Sequence, residues 1–309
     1  DLEIEEKDRA VRIYAGMPSV DKDIRKLGIG GLVSSNETSN FNNLAPAISK
    51  EISNLQLDIE KLSKLIFSGD RKAIANAITL VESTKHEDQD SASHLLTLIE
   101  SQQNQSIRIG ISGPPGVGKS TFIEAIGHSV LESDERLAIL AIDPSSSISG
   151  GSILGDKTRM QKLSTNESAY VRPSPSQGHL GGVAKKTLQS IRCLEEFGFN
   201  IIFVETMGVG QAETAVYDMV DIFLVLLLPS GGDELQGIKK GIIELADLII
   251  VNKADGLLEK QAELTKVEYS NAMQISSKTR VDITPNILTC SSIQKRGIEK
   301  VWAFINKFI

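Results

Sequence analysis

Short apolar runs alternate along the chain with longer segments in which apolar residues recur every three or four positions. Helical spacing of this kind covers 183–197 and 236–246, for example. Short apolar runs bounded by polar turns are typical of strands that are buried on both faces of a sheet. The pattern therefore predicts an α/β fold, with a mostly parallel central sheet and helices on both faces. The predicted strands are 107–111, 137–142, 201–204, 249–251 and 286–289.

The first part of the chain has a different pattern. Proline and glycine residues interrupt any long helix before residue 31, and 34–40 is a polar linker. Apolar residues three or four apart predict a helix at 48–65 and a second helical region over 70–100. We therefore expect 1–64 to be an atypical N-terminal extension, partly helical or disordered.

A phosphate-binding loop lies between the first predicted strand and a predicted helix. Residues 113–120 match the pattern G-x-x-x-x-G-K-[ST]. Its glycines allow backbone N–H groups to surround phosphate oxygens, and the following helix adds positive potential at its N-terminus. Lys119 is expected to reach the β- and γ-phosphates, while the Ser120 hydroxyl is a ligand for Mg²⁺. The candidate nucleotide-binding residues of this loop are Gly113, Gly116, Val117, Gly118, Lys119, Ser120 and Thr121.

A second motif indicates that the base is guanine. The predicted strand 249–251 runs into the pattern N-K-x-D, which supplies Asn252, Lys253 and Asp255. The Asp255 carboxylate can accept hydrogen bonds from guanine N1–H and the 2-amino group, a donor pair that adenine lacks. Asn252 is a candidate for guanine N7, and the Lys253 stem can lie over the ring. Ser291 and Ser292, which follow the last predicted strand, are candidates for a second guanine-contacting loop.

Acidic residues end two of the predicted strands, and they predict a magnesium site. Asp143 and Glu205 would lie at the carboxyl edge of a parallel sheet, where such folds bind ligands. With Ser120 and with Asp156 from a glycine-rich loop, they form the candidate metal set, because Mg²⁺ prefers oxygen ligands. Lys119, Asp156 and Glu205 are the candidate catalytic residues. Gly208 follows Glu205 at the spacing D-x-x-G, with glutamate where most GTPases have aspartate, and would meet the γ-phosphate.

Several longer segments resemble the MeaB/ArgK GTPases, a family of the SIMIBI class of P-loop proteins. The resemblance begins near residue 65 and runs almost to the end of the sequence. It implies a helical region at 65–104 followed by a GTPase domain at 105–309. The segments that carry it are 143–147, 150–160, 172–175, 178–184, 205–211 and 228–239.

The resemblance also implies a function and a partner. Members of this family are chaperones of adenosylcobalamin-dependent methylmalonyl-CoA mutase. They gate the loading of cobalamin, protect the mutase, and hydrolyse GTP slowly until the partner stimulates them. Loops near 150–160, 208–213 and 229–239 are the expected switches, and GTP or GDP with Mg²⁺ the expected ligands. Family members dimerise through a C-terminal helical arm; the sequence ends before that arm, so a homodimer formed in this way is left open.

Two other functions remain as alternatives. A metallochaperone GTPase that inserts nickel would carry clustered histidines or cysteines, whereas the four histidines here are isolated in sequence. A GTP-binding interaction module with little turnover is the second alternative. A comparison of GTP turnover with and without the mutase separates these possibilities.

Composition and charge exclude some kinds of binding partner. Net charge is −7, which argues against a nucleic-acid surface, because such a surface requires a basic stripe. The longest apolar run, 222–229, is too short to cross a bilayer, so no membrane partner is expected. The two cysteines, Cys193 and Cys290, lack metal-ligand spacing and are expected to be buried, reduced thiols in a cytoplasmic protein.

Overall fold

The computed structural model describes residues 58–100, 106–143, 160–175, 180–206, 212–229, 240–275 and 286–307. A helical segment at 58–67 comes first. The helices that follow are α1 (Arg71–Glu82), α2 (His86–Ile99), α3 (Lys119–Glu132), α4 (Gln161–Thr165), α5 (Leu180–Glu196), α6 (Ala212–Tyr217), α7 (Lys240–Ile243), α8 (Glu259–Ile275) and α9 (Ile298–Ile305), with a 3₁₀ helix at Gly256–Leu258. The strands are β1 (Ile107–Ser112), β2 (Leu137–Asp143), β3 (Ala169–Pro175), β4 (Ile201–Thr206), β5 (Ile222–Leu227), β6 (Leu248–Val251) and β7 (Asn286–Thr289).

The described strands form one seven-stranded sheet in the order β3-β2-β4-β1-β5-β6-β7. Every paired neighbour in this sheet is parallel. Strand β1, which leads into the predicted phosphate loop, lies in the middle between β4 and β5. The predicted α/β class with a parallel central sheet is confirmed.

Each face of the sheet is covered by its own hydrophobic layer. On one face, Phe122, Ile126 and Trp302 of helices α3 and α9 pack against alternate strand residues. On the other face, residues of α1, α2, α5, α6, α7 and α8 pack against the intervening strand residues. Because both faces are buried, strands β4, β5 and β6 contain continuous apolar runs rather than alternating ones.

The N-terminal helices are joined to the edge of this sheet. Asp70 caps α1 by accepting hydrogen bonds from the backbone nitrogens of Lys72 and Ala73, at 2.8 and 3.0 Å. The Arg71 guanidinium donates to the carbonyl oxygens of Glu167 and Ala169, at 2.8 and 2.6 Å. These bonds fasten the start of α1 to the start of β3.

The predicted helices agree with the structure in part. The helical region predicted over 70–100 is confirmed as α1 and α2. Of the helix predicted at 48–65, residues 58–65 are helical and the rest lies outside the described residues. The helix predicted over 236–246 is shorter: among its described residues, only Lys240–Ile243 is α-helical.

The domain limits proposed from the sequence remain predictions. Residues 1–57 lie outside the described part of the chain. Ile59 and Ile66 are buried in the same hydrophobic layer as α1, on either side of the proposed limit at 64. No helix among the described residues is both long and apolar enough to cross a membrane.

Candidate nucleotide-binding site

The loop between β1 and α3 has a backbone that requires its glycines. Gly116 and Gly118 have φ values of 77° and 94°, in the left-handed region that side chains disfavour. Gly113 lies against β5, where a Cβ would come within 2.6 Å of the carbonyl oxygen of Leu226. The sequence pattern therefore corresponds to a tight turn, which begins at the end of β1 and ends at the first residue of α3.

Lys119 occupies the centre of this turn. Its ammonium donates to the carbonyl oxygens of Gly113 at 2.7 Å and Pro114 at 3.2 Å. Burial lowers the pKa of Lys119, while the carboxylates of Glu205 and Glu213 act in the opposite direction. The loop carbonyls thus hold a buried cation at the place where the motif predicts phosphate oxygens.

The other members of the loop lie around this lysine. Ser120 is half-buried in the first turn of α3, and Thr121 beside it is exposed. Val117 is fully buried. Its backbone carbonyl accepts a hydrogen bond from Asn252 Nδ2 at 2.9 Å. The predicted phosphate motif and the predicted base motif are therefore in direct contact.

Asn252 is the centre of a second network. It is 1% exposed. Its Oδ1 accepts bonds from the Ser292 hydroxyl at 2.7 Å, the Ser292 backbone nitrogen at 3.2 Å and the Cys290 thiol at 3.4 Å. An amide nitrogen has two hydrogens. Since one of those on Nδ2 binds Val117, the other remains for the N7 contact predicted from the sequence.

Asp255 lies at the outer side of this network. The Ser291 hydroxyl donates to its Oδ2, and the Gln294 backbone nitrogen donates to Ser291 Oγ at 3.1 Å. Lys253, two residues before it, has a φ of 58° and is half-buried. Ser291 and Ser292 thus bind the two motif side chains that are predicted to recognise guanine, in addition to their own predicted contact with the base.

The candidate metal ligands are only partly described. Glu205, 8% exposed, lies near the end of β4 beside β1, where it pairs with Ile111. The backbone of Asp143 ends β2, the strand on the other side of β4. Asp156 and Gly208 lie outside the described residues. The two candidate ligands whose side chains are described are the Ser120 hydroxyl and the Glu205 carboxylate. Both offer oxygen atoms, the ligand type that Mg²⁺ prefers.

One further acidic residue lies in this region and was not among the predicted site residues. Glu213, in the first turn of α6, is 1% exposed, and its charge acts on Lys119. The only signal for Glu213 in the sequence is its position, since it follows shortly after the segment that begins with Glu205. Nothing in the local pattern distinguishes it from an ordinary helix-starting glutamate.

Both cysteines are buried free thiols, as predicted. Burial raises the pKa of Cys193 to about 12, and burial likewise raises the pKa of Cys290 to about 12 although Ser292 acts against it. Cys290 belongs to the Asn252 network. Among the described residues, no group of three or more His, Cys, Asp and Glu side chains is arranged to hold a metal ion.

A phosphate loop on the central strand and an N-K-x-D motif bonded to it define a P-loop GTPase. Comparison with known proteins agrees. Residues 74–309 match the model of the methylmalonyl-CoA mutase-associated GTPase MeaB. The chain belongs to this family, and it is a GTPase that binds guanine nucleotide.

Three relatives illustrate the similarity. A Caulobacter vibrioides protein with a GTPase name is 52% identical over 249 residues, which cover 81% of this chain and 76% of that one. The GTPase ArgK of Escherichia coli is 44% identical over 240 residues, covering 78% and 72%. The crystal structure of a LAO/AO transport system kinase superposes with a TM-score of 0.68 at 34% identity, covering 81% and 74%.

Proposed function

We propose that this GTPase is a chaperone of an adenosylcobalamin-dependent acyl-CoA mutase of the methylmalonyl-CoA mutase type. In this role it gates the loading of the cofactor and protects the mutase from inactivation. The observation that carries the proposal is the family match over 74–309, a family described as mutase-associated. A mouse relative named methylmalonic aciduria type A homolog, 45% identical over 260 residues that cover 81% of this chain and 63% of its own, adds support.

The described residues suggest how guanine is selected. Asp255 accepts two hydrogen bonds from the base, and Ser291 keeps its carboxylate oriented. Asn252 donates its second Nδ2 hydrogen to N7 while the first holds Val117. A site whose polar groups require these donors discriminates strongly against a base that lacks them, since those groups would be left unpaired.

The phosphate loop provides positioning and charge. Lys119 exchanges its bonds with the Gly113 and Pro114 carbonyls for bonds with the β- and γ-phosphates. Backbone N–H groups of the loop bind the same phosphates, and GTP hydrolysis then depends on electrostatic stabilisation of the transition state. Ser120, Glu205, Asp143 and Asp156 are the residues that would hold Mg²⁺, which neutralises phosphate charge when bound.

Hydrolysis is coupled to the mutase through segments that respond to the γ-phosphate. Helix α6 follows the segment that begins with Glu205 and packs against β1 and β4. Loss of the γ-phosphate relaxes such segments, and the partner reads this change. Of the proposed switch loops, residues 150–159, 208–211 and 230–239 lie outside the described residues.

The test is GTP turnover by the purified protein, measured alone and with an adenosylcobalamin-dependent acyl-CoA mutase in its apo and holo forms. We expect mutase to raise kcat for GTP, and the nucleotide state to change the rate of cofactor transfer into apo-mutase. An adenosylcobalamin-independent CoA enzyme serves as the control. Turnover that does not respond to mutase, with unchanged cofactor transfer, would exclude this partner and leave the GTPase assignment intact.

A further inference from the structure

A set of buried polar atoms without partners lies beneath the phosphate loop. Ser112 Oγ, Thr206 Oγ1 and both carboxylate oxygens of Glu213 are buried and have no hydrogen-bond partner among the described residues. Ser112 and Thr206 are 0% exposed, and Glu213 is 1% exposed. Buried polar atoms are nearly always paired in folded proteins, so a group of three unpaired side chains requires an explanation.

Topology brings these three side chains to one place. Gly110 of β1 pairs with Val204 of β4, so two residues further on Ser112 and Thr206 are neighbours at the carboxyl ends of these strands. Side chains alternate along a strand. Ile109 and Ile111 pack in the layer containing α3, and Ser112 therefore faces the opposite layer, which contains α6.

Helix α6 places Glu213 over the same point. A Cβ at Gly110 would lie 3.1 Å from Val216 Cγ1, so α6 crosses β1 closely at that level. Glu213 precedes Val216 by three residues, on the same face and about 4.5 Å along the helix axis. Because α6 runs back from the carboxyl end of β4, this displacement leads toward Ser112, about 6.6 Å beyond Gly110.

The cation next to this set is Lys119. Its ammonium is held by the carbonyl oxygens of Gly113 and Pro114, the two residues that directly follow Ser112, and the negative charge of Glu213 acts on it. A buried carboxylate without a direct partner is stabilised by water and by a nearby cation. Glu205 also acts on Lys119, but it faces the α3 layer with Ile111.

We propose that Glu213 lowers the affinity for nucleotide: from the buried polar cluster that it forms with Ser112 and Thr206, its carboxylate competes with nucleotide phosphate for the Lys119 ammonium. The negative charge weakens the binding of GDP and GTP alike and keeps the phosphate loop exchangeable. Because Glu213 belongs to α6, the helix that follows the Glu205 segment, the binding of phosphate in the loop also acts on this helix.

The test is Glu213→Gln, which removes the charge and keeps the shape. We expect the Kd for GDP and the KM for GTP to fall by about three- to tenfold, the size expected for one charge acting in a partly hydrated interior. The value of kcat should change less than about twofold, because Lys119 serves both the bound and the transition state. A purely structural role would instead lower the melting temperature and raise KM.

Two further variants make the test specific. Glu213→Asp keeps the charge and should stay close to the wild-type KM; if it tightens binding as much as Glu213→Gln, side-chain length is responsible and the proposal is wrong. Glu195→Gln is the matched control, since Glu195 is a carboxylate with 1% side-chain exposure that pairs with Arg108 near the start of β1. It should leave KM unchanged.

The Kd for GDP and the KM for GTP are measured without the mutase, so the outcome does not depend on the proposed chaperone role. An unchanged or raised KM in Glu213→Gln overturns the proposal. Should the amide prevent folding, Glu213→Met supplies a second neutral side chain of similar length, with the same expected decrease in the Kd for GDP.

Discussion

The side-chain amide of Asn252 donates from Nδ2 to the backbone oxygen of Val117 at 2.9 Å, across 135 positions of sequence. This bond joins the end of β6 to the phosphate loop at the end of β1, across the intervening strand β5. The same side chain accepts from Ser292 after β7. One buried amide thus connects three loops at the carboxyl edge of the sheet, so the predicted base site and the predicted phosphate site are directly linked.

Asn252→Ala should therefore weaken both stability and nucleotide binding. The variant leaves the Val117 carbonyl and the Ser292 donors unpaired in a buried setting, which costs about 2–4 kcal/mol of unfolding free energy. We also expect the Kd for GDP to rise at least about tenfold, because the loops lose their relative position. Urea unfolding and fluorescent-nucleotide titration measure the two effects.

Ser292→Ala is the matched comparison for this prediction. It removes the hydroxyl donor at 2.7 Å but keeps the backbone donor at 3.2 Å to the same oxygen. The expected loss is about 1 kcal/mol, with a smaller change in Kd. Equal effects of the two variants would contradict the central position given to Asn252.

Asp255→Asn should change which base is bound. An asparagine cannot accept both hydrogen bonds from guanine N1–H and the 2-amino group, so we expect GDP affinity to fall about a hundredfold or more. Xanthine carries a carbonyl in place of the 2-amino group and should be bound better by the variant than by the wild type. Competition of GDP, XDP and ADP against a fluorescent nucleotide checks this, and unchanged GDP affinity would show that Asp255 does not contact the base.

The sequence predicted this arrangement well where chemistry and position coincide. The glycines of the phosphate loop and the N-K-x-D turn follow apolar strands, and parallel strands bring their ends to one edge of a sheet. No strand is predicted over 169–175, where Pro173 and Pro175 are unfavourable for a strand inside a sheet. The sheet order explains them, since β3 is the edge strand, where proline does not remove a ladder bond on both sides.

Contacts between distant segments could not be predicted from local patterns. The bonds from Ser291 to Asp255 and from Ser292 to Asn252 depend on how the loop after β7 folds against β6. Glu213 was missed for the same reason, because its place under the phosphate loop depends on the packing of α6 across Gly110. Such features require the three-dimensional register of the sheet.

Gly118→Ala should be more harmful than Gly116→Ala. Both glycines have φ in the left-handed region, at 94° and 77°, so each substitution costs about 1–2 kcal/mol of backbone strain. Only at Gly118 would the new methyl group also meet another atom, Asn252 Nδ2, at 2.9 Å, whereas Gly116 has nothing within 4 Å. We expect Gly118→Ala to lose measurable GDP binding and Gly116→Ala to retain part of it. Similar Kd values for the two variants would show that strain alone, and not the contact with Asn252, decides.

The buried thiol of Cys193 should make stability fall at alkaline pH. Its pKa is raised from 9.0 to about 12 in the folded chain, so between these values the unfolded state releases its proton first. Stability that is fully present below pH 9 is therefore lost as pH rises, by about 1.4 kcal/mol at pH 10 from this group.

Other groups also titrate in this range, so we compare the wild type with Cys193→Ala by urea unfolding. The variant should be less stable at pH 7, by about 1 kcal/mol for the lost packing of one sulfur. This deficit should vanish or reverse at pH 10, since alanine has no proton to release. A deficit that stays constant from pH 7 to pH 10 would contradict the raised pKa of Cys193.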